Sequence, residues 1–142
     1  MLFRSLSLPP DQPLRLDLQA GSEIRLAISR EALGIVLSNL IDNASHHGAT
    51  KMTIGVHVDE GTAQIELRDD GSGVSATNRE RIFEPFFTTR RERGGTGLGL
   101  GIVVALLNAH HGSIRLDDTP IGAGFTIELG LGTNYPLGWT AT

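Results

Sequence analysis

Leu14, Leu16 and Leu18 alternate with Arg15, Asp17 and Gln19, the period-two pattern of a half-buried strand. After an Ala20-Gly21-Ser22 turn, Ile24, Leu26 and Ile28 repeat the pattern. Residues 51–58 and 62–68 predict a hairpin across Asp59-Glu60-Gly61, and residues 113–118 and 124–131 predict a second one. Between these strands the period lengthens to that of a helix. One helix is expected from Arg30 to His47, with Ser29 as its N-cap and Gly48 as its stop. A second is expected from Thr96 to His111, stopped by Gly112, and a short one near 77–83. Two long helices beside several antiparallel strands argue an α+β, two-layer sandwich with the helices on one face of a sheet.

The length of 142 residues is that of one domain. Pro9, Pro10 and Pro13 mark the start as an entry segment, so the expected organisation is a linker over 1–12, a domain over 13–132 and a tail over 133–142. Twelve Lys and Arg against 16 Asp and Glu give a net charge of −4, which lacks the basic field of a nucleic-acid binder. The 39% of apolar residues suffice for a core. The absence of cysteine excludes a disulfide framework or thiolate metal site and fits a cytoplasmic domain. No apolar run approaches the ~18–20 residues of a membrane span, and no signal peptide is read at the start. The 18 glycines are unusual, and most cluster at 71–73, 94–101 and 122–132.

Four segments carry candidate chemistry. On the first helix Asn39, Asn43 and His46 fall within about 60° of one another, with Asp42 beside them and Leu33, Leu37, Leu40, Ile41 and Ala44 on the far side. A solvated outer face would also be polar, but Lys and Glu are better helix formers there than Asn. Carboxamide oxygens at i and i+4 suit a hydrated hard cation. Next, a strand runs out into Asp69-Asp70-Gly71-Ser72-Gly73. This is an ordinary turn composition, or a carboxylate placed to accept from an exocyclic amine beside glycines that let a ligand lie on the backbone. The third is Arg81-Ile82-Phe83-Glu84-Pro85-Phe86-Phe87-Thr88-Thr89-Arg90, an aromatic anchor for a loop or lid. The fourth, Arg90 to Gly101, is basic and glycine-rich and opens a helix, an arrangement suited to phosphate. It matches neither a P-loop nor a Gly-x-Gly-x-x-Gly fingerprint.

Taken in this order, Asn39-Leu-Ile-Asp-Asn43-Ala, Asp69-Asp-Gly71-Ser-Gly73, Ile82-Phe-Glu-Pro-Phe-Phe-Thr-Thr and Gly95-Thr-Gly-Leu-Gly-Leu-Gly-Ile102 resemble the N, G1, F and G2 boxes of the catalytic ATP-binding domain of sensor histidine kinases. The resemblance implies the Bergerat fold, a mixed sheet with helices layered on one side. It implies that Asn43 binds a Mg²⁺ bridging the ATP phosphates, with Asn39 one turn earlier, and that Asp69 reads the adenine amine in a pocket shaped by Gly71 and Gly73. Phe83, Phe86 and Phe87 would anchor a lid, and Thr96, Gly97, Leu98, Gly99 and Leu100 would close over the phosphates. His46 stands where the family often has Lys or Arg, so Arg90, Arg91 or Arg93 is expected to supply part of the phosphate charge.

Hydrolysing members of the wider superfamily carry a Glu where Asn39 stands. A carboxamide cannot take a proton from water at neutral pH, which favours phosphoryl transfer to a partner. The acceptor histidine of the family lies on a separate dimerisation helix and is commonly followed by an acidic residue. His46, His47, His57, His110 and His111 are followed by His, Gly, Val, His and Gly. Helix-end positions, rather than phosphoacceptor or zinc roles, are expected for the two pairs. The resemblance therefore implies a catalytic domain of a longer kinase, itself monomeric, whose parent is a homodimer, membrane-anchored in some kinases, and whose partners are the dimerisation domain and a response regulator. The alternatives are a degenerate nucleotide-binding module without transfer and a hydrolysing ATPase of the same superfamily.

Overall fold

The computed structural model of the chain describes residues 15–18, 25–75, 77–79, 81–84 and 99–131. Along them run β1 (Arg15–Leu18), α1 (Arg30–His46), β2 (Lys51–Asp59), β3 (Thr62–Asp69), α2 (Gly99–Ala109), β4 (Ser113–Asp117) and β5 (Gly124–Gly130). The strands form a five-stranded sheet in the order β1-β2-β3-β5-β4. β1 pairs parallel with β2, and every other pairing is antiparallel. Both expected hairpins are present. The first turns through Glu60 and Gly61, at φ 51° and 78°, the two left-handed residues of a tight hairpin turn.

Alternation decides which face of the sheet is covered. Ile54 and Val56 on β2 stand opposite Leu67 and Ile65 on β3, which in turn face Phe125 and Ile127 on β5. All six are buried and share one core with Leu33, Leu37, Leu40 and Ile41 of α1 and Val103 and Leu107 of α2. Burying each such side chain contributes about 1.5–3 kcal/mol. The other face is a polar lattice. His57 bonds Gln64 at 2.9 Å, Gln64 donates to Glu128 at 3.1 Å, and Arg68 and Arg115 both pair with Asp117, at 3.2 and 2.9 Å. Burial works to raise the Asp117 pKa, but the Thr126 hydroxyl, Arg115 and Arg68 outweigh it and hold it below the ordinary value. The expected two-layer α+β sandwich is thus the observed one.

Both helices end in the same motif. Gly48, at φ 80°, donates to Ser45 O while Ala49 donates to Ala44 O. At the end of α2 the left-handed residue is His111, at φ 59°, donating to Asn108 O, and Gly112 follows with its N–H on Leu107 O. The second stop therefore sits one residue earlier than Gly112. His46 and His110 occupy equivalent places, each donating Nδ1–H to the carbonyl four residues back, Asp42 O at 2.7 Å and Leu106 O at 2.8 Å. Both histidines thus stand at helix ends.

Two expected elements differ. Of the expected strand at 24–28, residues 25–28 are described, and Arg25 and Leu26 are bridge residues rather than part of a named strand. Leu26 makes a single bridge to Leu131, and Ala27 N donates to Gly130 O, before Ser29 caps α1 with an Ala32 N–H bond of 3.1 Å. Leu26 and Ile28 are buried, which accounts for the alternation. Near 77–83 the chain makes successive three-residue turns (Asn78 N to Ser75 O, Arg81 N to Asn78 O, Glu84 N to Arg81 O) rather than a regular helix. The expected linker and tail, and the start of α2 at Thr96, lie outside the described residues. No described helix is long and apolar enough to cross a membrane.

Asp70 ties the end of β3 to the start of β2. Its Oδ1 accepts from Thr50 N at 2.7 Å and Lys51 N at 3.0 Å, and Oδ2 accepts from the Thr50 hydroxyl at 2.8 Å. The Lys51 and Thr50 hydrogen bonds hold its pKa below the ordinary value of 3.8. A carboxyl with a depressed folded pKa stabilises the fold above its unfolded pKa, and that contribution is lost as pH falls through the folded one. Asp70→Ala should therefore lower the urea midpoint at neutral pH. The gap from the parent chain should close as the pH is taken below 3.8.

Candidate functional site

The polar face of α1 is built as its spacing predicts. Asn39 and Asn43 are half-buried, while Asp42 and His46 are exposed. Asn39 Nδ2 donates to Ile35 O at 2.9 Å, one turn back. That bond orients the carboxamide and leaves Oδ1 as an acceptor aimed away from its own helix. Oδ1 lies against the first residue of α2, where a Cβ on Gly99 would stand 3.1 Å from it. Glycine at 99 thus lets the N-terminus of α2 close onto the carboxamide face of α1. Two segments sixty residues apart in sequence meet here.

Asp69 occupies a core-facing position on β3, in line with Ile65 and Leu67 and opposite Met52. It is only 8% exposed. A carboxylate so placed needs donors. Its Oδ1 accepts from Gly71 N at 2.9 Å and from Ala123 N at 3.1 Å. Its own N–H donates to Ala123 O at 3.0 Å. Both bonds fall on one oxygen, and among the described residues Oδ2 keeps its acceptor capacity. The following loop is pinned to the end of α1, because Ser72 N donates to His47 O at 2.9 Å and Ser72 Oγ lies 3.3 Å from His47 Nδ1. Gly71 is required by this closeness, since a Cβ there would stand 2.8 Å from His47 O. Gly73, at φ 76°, is required by its conformation.

Gly122 and Ala123, which complete the Asp69 cradle, were not among the expected site residues. The signal was present in Gly122-x-Gly124, but a glycine pair closing a hairpin looks like punctuation until the partner strand is known. Phe83 meets Phe125 edge to face, with centroids 6.2 Å apart and planes at 71°. Ile82 beside it is buried in the core. This end of the aromatic segment is anchored as expected. Phe86, Phe87, Arg90, Arg91, Arg93, Thr96, Gly97 and Leu98 lie outside the described residues, and Leu100 packs half-buried against the core.

The structure therefore brings together Asn39 and Gly99 on one side, and Asp69, Gly71 and Gly73 on another, with α1 joining the two through its face and its C-terminus. No group of three or more His, Cys, Asp or Glu that could hold a metal by itself exists among the described residues. The carboxamide oxygen of Asn43 is a hard oxygen donor, of the kind that completes a shell of phosphate and water around Mg²⁺.

Residues 28–133 match the family model described as histidine kinase-, DNA gyrase B-, and HSP90-like ATPase. Over 95 residues the chain is 43% identical to the sensor histidine kinase CpxA of Escherichia coli (strain K12), which covers 64% of this chain and 21% of that protein. It is 39% identical over 105 residues to the signal transduction histidine-protein kinase AtoS of the same strain, covering 70% of this chain and 17% of that protein. The chain thus spans about a fifth of the length of these curated relatives. Among solved structures it is similar to the catalytic domain of histidine kinase ThkA, at a TM-score of 0.71 and 26% identity, over 83% of this chain and 79% of that one. It is also similar to the ATP binding domain of PrrB from Mycobacterium tuberculosis, at 0.68 and 25%, over 86% and 82%.

The cradle makes a prediction about stability that needs no ligand. Asp69→Asn keeps a carbonyl oxygen for the Gly71 and Ala123 N–H groups and should cost less than about 1 kcal/mol, whereas Asp69→Leu strands both at about 1–3 kcal/mol each. Urea denaturation of the two variants checks it. Equal losses would mean that the two bonds do not hold the loops.

Proposed function

The chain belongs to the family of histidine kinase-, DNA gyrase B- and HSP90-like ATPases, and within it we propose that the chain is the ATP-binding catalytic domain of a sensor histidine kinase. In this reading the base of ATP lies against Gly71 and Gly73, with its exocyclic amine donating to Asp69 Oδ2. The phosphates reach toward the carboxamide face of α1, which carries Asn39 and His46, and the N-terminus of α2 at Gly99 and Leu100; Arg90, Thr96, Gly97 and Leu98, outside the described residues, would close over them. Asn43 would hold Mg²⁺, which neutralises phosphate charge when bound. The lone carboxamide, rather than an acidic cluster, fits a cation that keeps most of its shell as phosphate and water.

One observation carries the choice of transferase over hydrolase. Position 39 holds a carboxamide whose nitrogen is tied to Ile35 O. It can orient a group, but it has no basic site with which to take a proton from water. Phosphoryl transfer needs little covalent help from the protein, because it rests on placement and electrostatic stabilisation. The acceptor would be a histidine on a dimerisation domain of the same kinase, and an aspartate of a response regulator would receive the phosphoryl group next. The full kinase would act as a homodimer on the cytoplasmic side of the cell, attached to a membrane where its sensor requires it.

Incubated alone with Mg-ATP, the chain should release negligible phosphate and should not label itself. Adding the cognate dimerisation domain should give slow, Mg²⁺-dependent and acid-labile histidine labelling, which Asn43→Ala abolishes. Brisk phosphate release by the isolated chain that Asn39→Ala eliminates would contradict the transferase reading.

A further inference from the structure

The loop from Asp118 to Ala123, between β4 and β5, meets Asp69 through the Ala123 N–H and carbonyl. Its geometry gives it a larger part. The Gly122 carbonyl and the Ala123 N–H belong to the same planar peptide unit, so fixing one end aims the other. The N–H end donates to Asp69 Oδ1 at 3.1 Å. The carbonyl end accepts from the Thr119 hydroxyl at 2.9 Å. This peptide is wedged as well as bonded. Gly122 is at φ 67°, a Cβ on it would stand 1.9 Å from Asp69 O, and a Cβ on Gly73 would stand 2.8 Å from the Gly122 carbonyl oxygen. The residue that ends the chain of contacts is half-buried Thr119, whose methyl group lies where a Cβ on Gly124 would meet it at 2.6 Å.

The torsion that rotates an Asp carboxylate about its Cβ–Cγ bond is soft, and alone it selects no oxygen. An acceptor that must distinguish an amine from a carbonyl at one position of a purine ring needs a fixed direction. Two donors on one oxygen supply it, and the Ala123 donor is itself directed from behind by a hydroxyl. A hydrogen bond to the carbonyl of a peptide also polarises its N–H and strengthens the donor. We propose that Thr119 is a positioning residue for purine specificity: its hydroxyl aligns the Gly122–Ala123 peptide, which holds the Asp69 carboxylate in the orientation that reads the base. The inference rests on Asp69 as the base-reading carboxylate.

Thr119→Val keeps the shape of the side chain and removes the hydroxyl, whereas Thr119→Ser keeps the hydroxyl and removes the methyl. Calorimetric titration of each with ADP and with GDP, in Mg²⁺, reads the ratio of the two affinities. The Ala123 amide exchange rate, without nucleotide, reads the peptide directly. Thr119→Val should weaken ADP by about 5- to 10-fold with a smaller change for GDP, so that the ratio falls, on the scale of one hydrogen bond. It should also speed Ala123 exchange, and Thr119→Ser should restore both. A purely structural role would lower both affinities alike and leave the ratio unmoved. An unchanged ratio in Thr119→Val, or a Thr119→Ser variant that behaves like it, overturns the proposal while Asp69 keeps its role. A parent chain that binds GDP as well as ADP overturns the base-reading role of Asp69 itself. Should Thr119→Val not fold, the Thr119→Ser ratio decides: a fall to the GDP level would assign the effect to methyl packing and overturn the proposal, and a parent-like ratio supports it.

Discussion

A carboxylate facing the core from the end of a central strand is the constraint on which the site depends. Asp69 takes a position that β3 otherwise fills with Ala63, Ile65 and Leu67, so it must find its donors inside the protein. It finds them on two loops from different parts of the chain, at Gly71 and Ala123. Three glycines follow from that single demand: Gly71 because His47 O is close, Gly73 because its φ is positive, and Gly122 because Asp69 O leaves no room for a side chain. The adjacent carboxylate, Asp70, is used differently. It is exposed, and its hydrogen bonds are all to Thr50 and Lys51 at the start of β2. Two neighbouring aspartates thus divide the work, one gathering two loops onto a single oxygen and the other fastening the strand that carries it.

The opposite wall is made by carboxamides rather than carboxylates, and this difference directs the chemistry. Glutamate in place of Asn39 would offer a proton acceptor near the phosphates. Asn39 instead donates to Ile35 O and turns its oxygen toward Gly99. In the proposed reading, position 39 can orient a nucleotide but cannot serve as a base for water. In that same reading, a second protein surface supplies the nucleophile.

Much of this was legible in the sequence, for reasons that differ from element to element. The hairpins and the long helices could be read because period and capping agreed: Ser29 and Gly48 bound α1 as residues of their type should. The alternation at 24–28 reflects burial of Leu26 and Ile28, with Leu26 bridged to Leu131 among the described residues. The turns at 77–83 misled because three-residue spacing is shared by a helix and by consecutive turns. His111 rather than Gly112 takes the left-handed position at the end of α2, a choice that composition alone would have reversed. The side chains of the site could be named from their motifs, but the backbone donor at Ala123 could not. A main-chain N–H leaves no mark in a sequence except the glycine beside it, and the pairing of β3 with β5 had first to bring that glycine to Asp69.

The most direct test of the account is a two-dimensional amide spectrum of the chain titrated with Mg-ADP. The account predicts that the largest shifts fall on the Gly71, Gly73, Ala123 and Gly99 backbone amides and on the Asn39 and Asn43 side-chain amides, while Gln64, Arg115 and Glu128 on the opposite face of the sheet stay in place. Shifts centred on that polar face, or none at millimolar nucleotide, would contradict it.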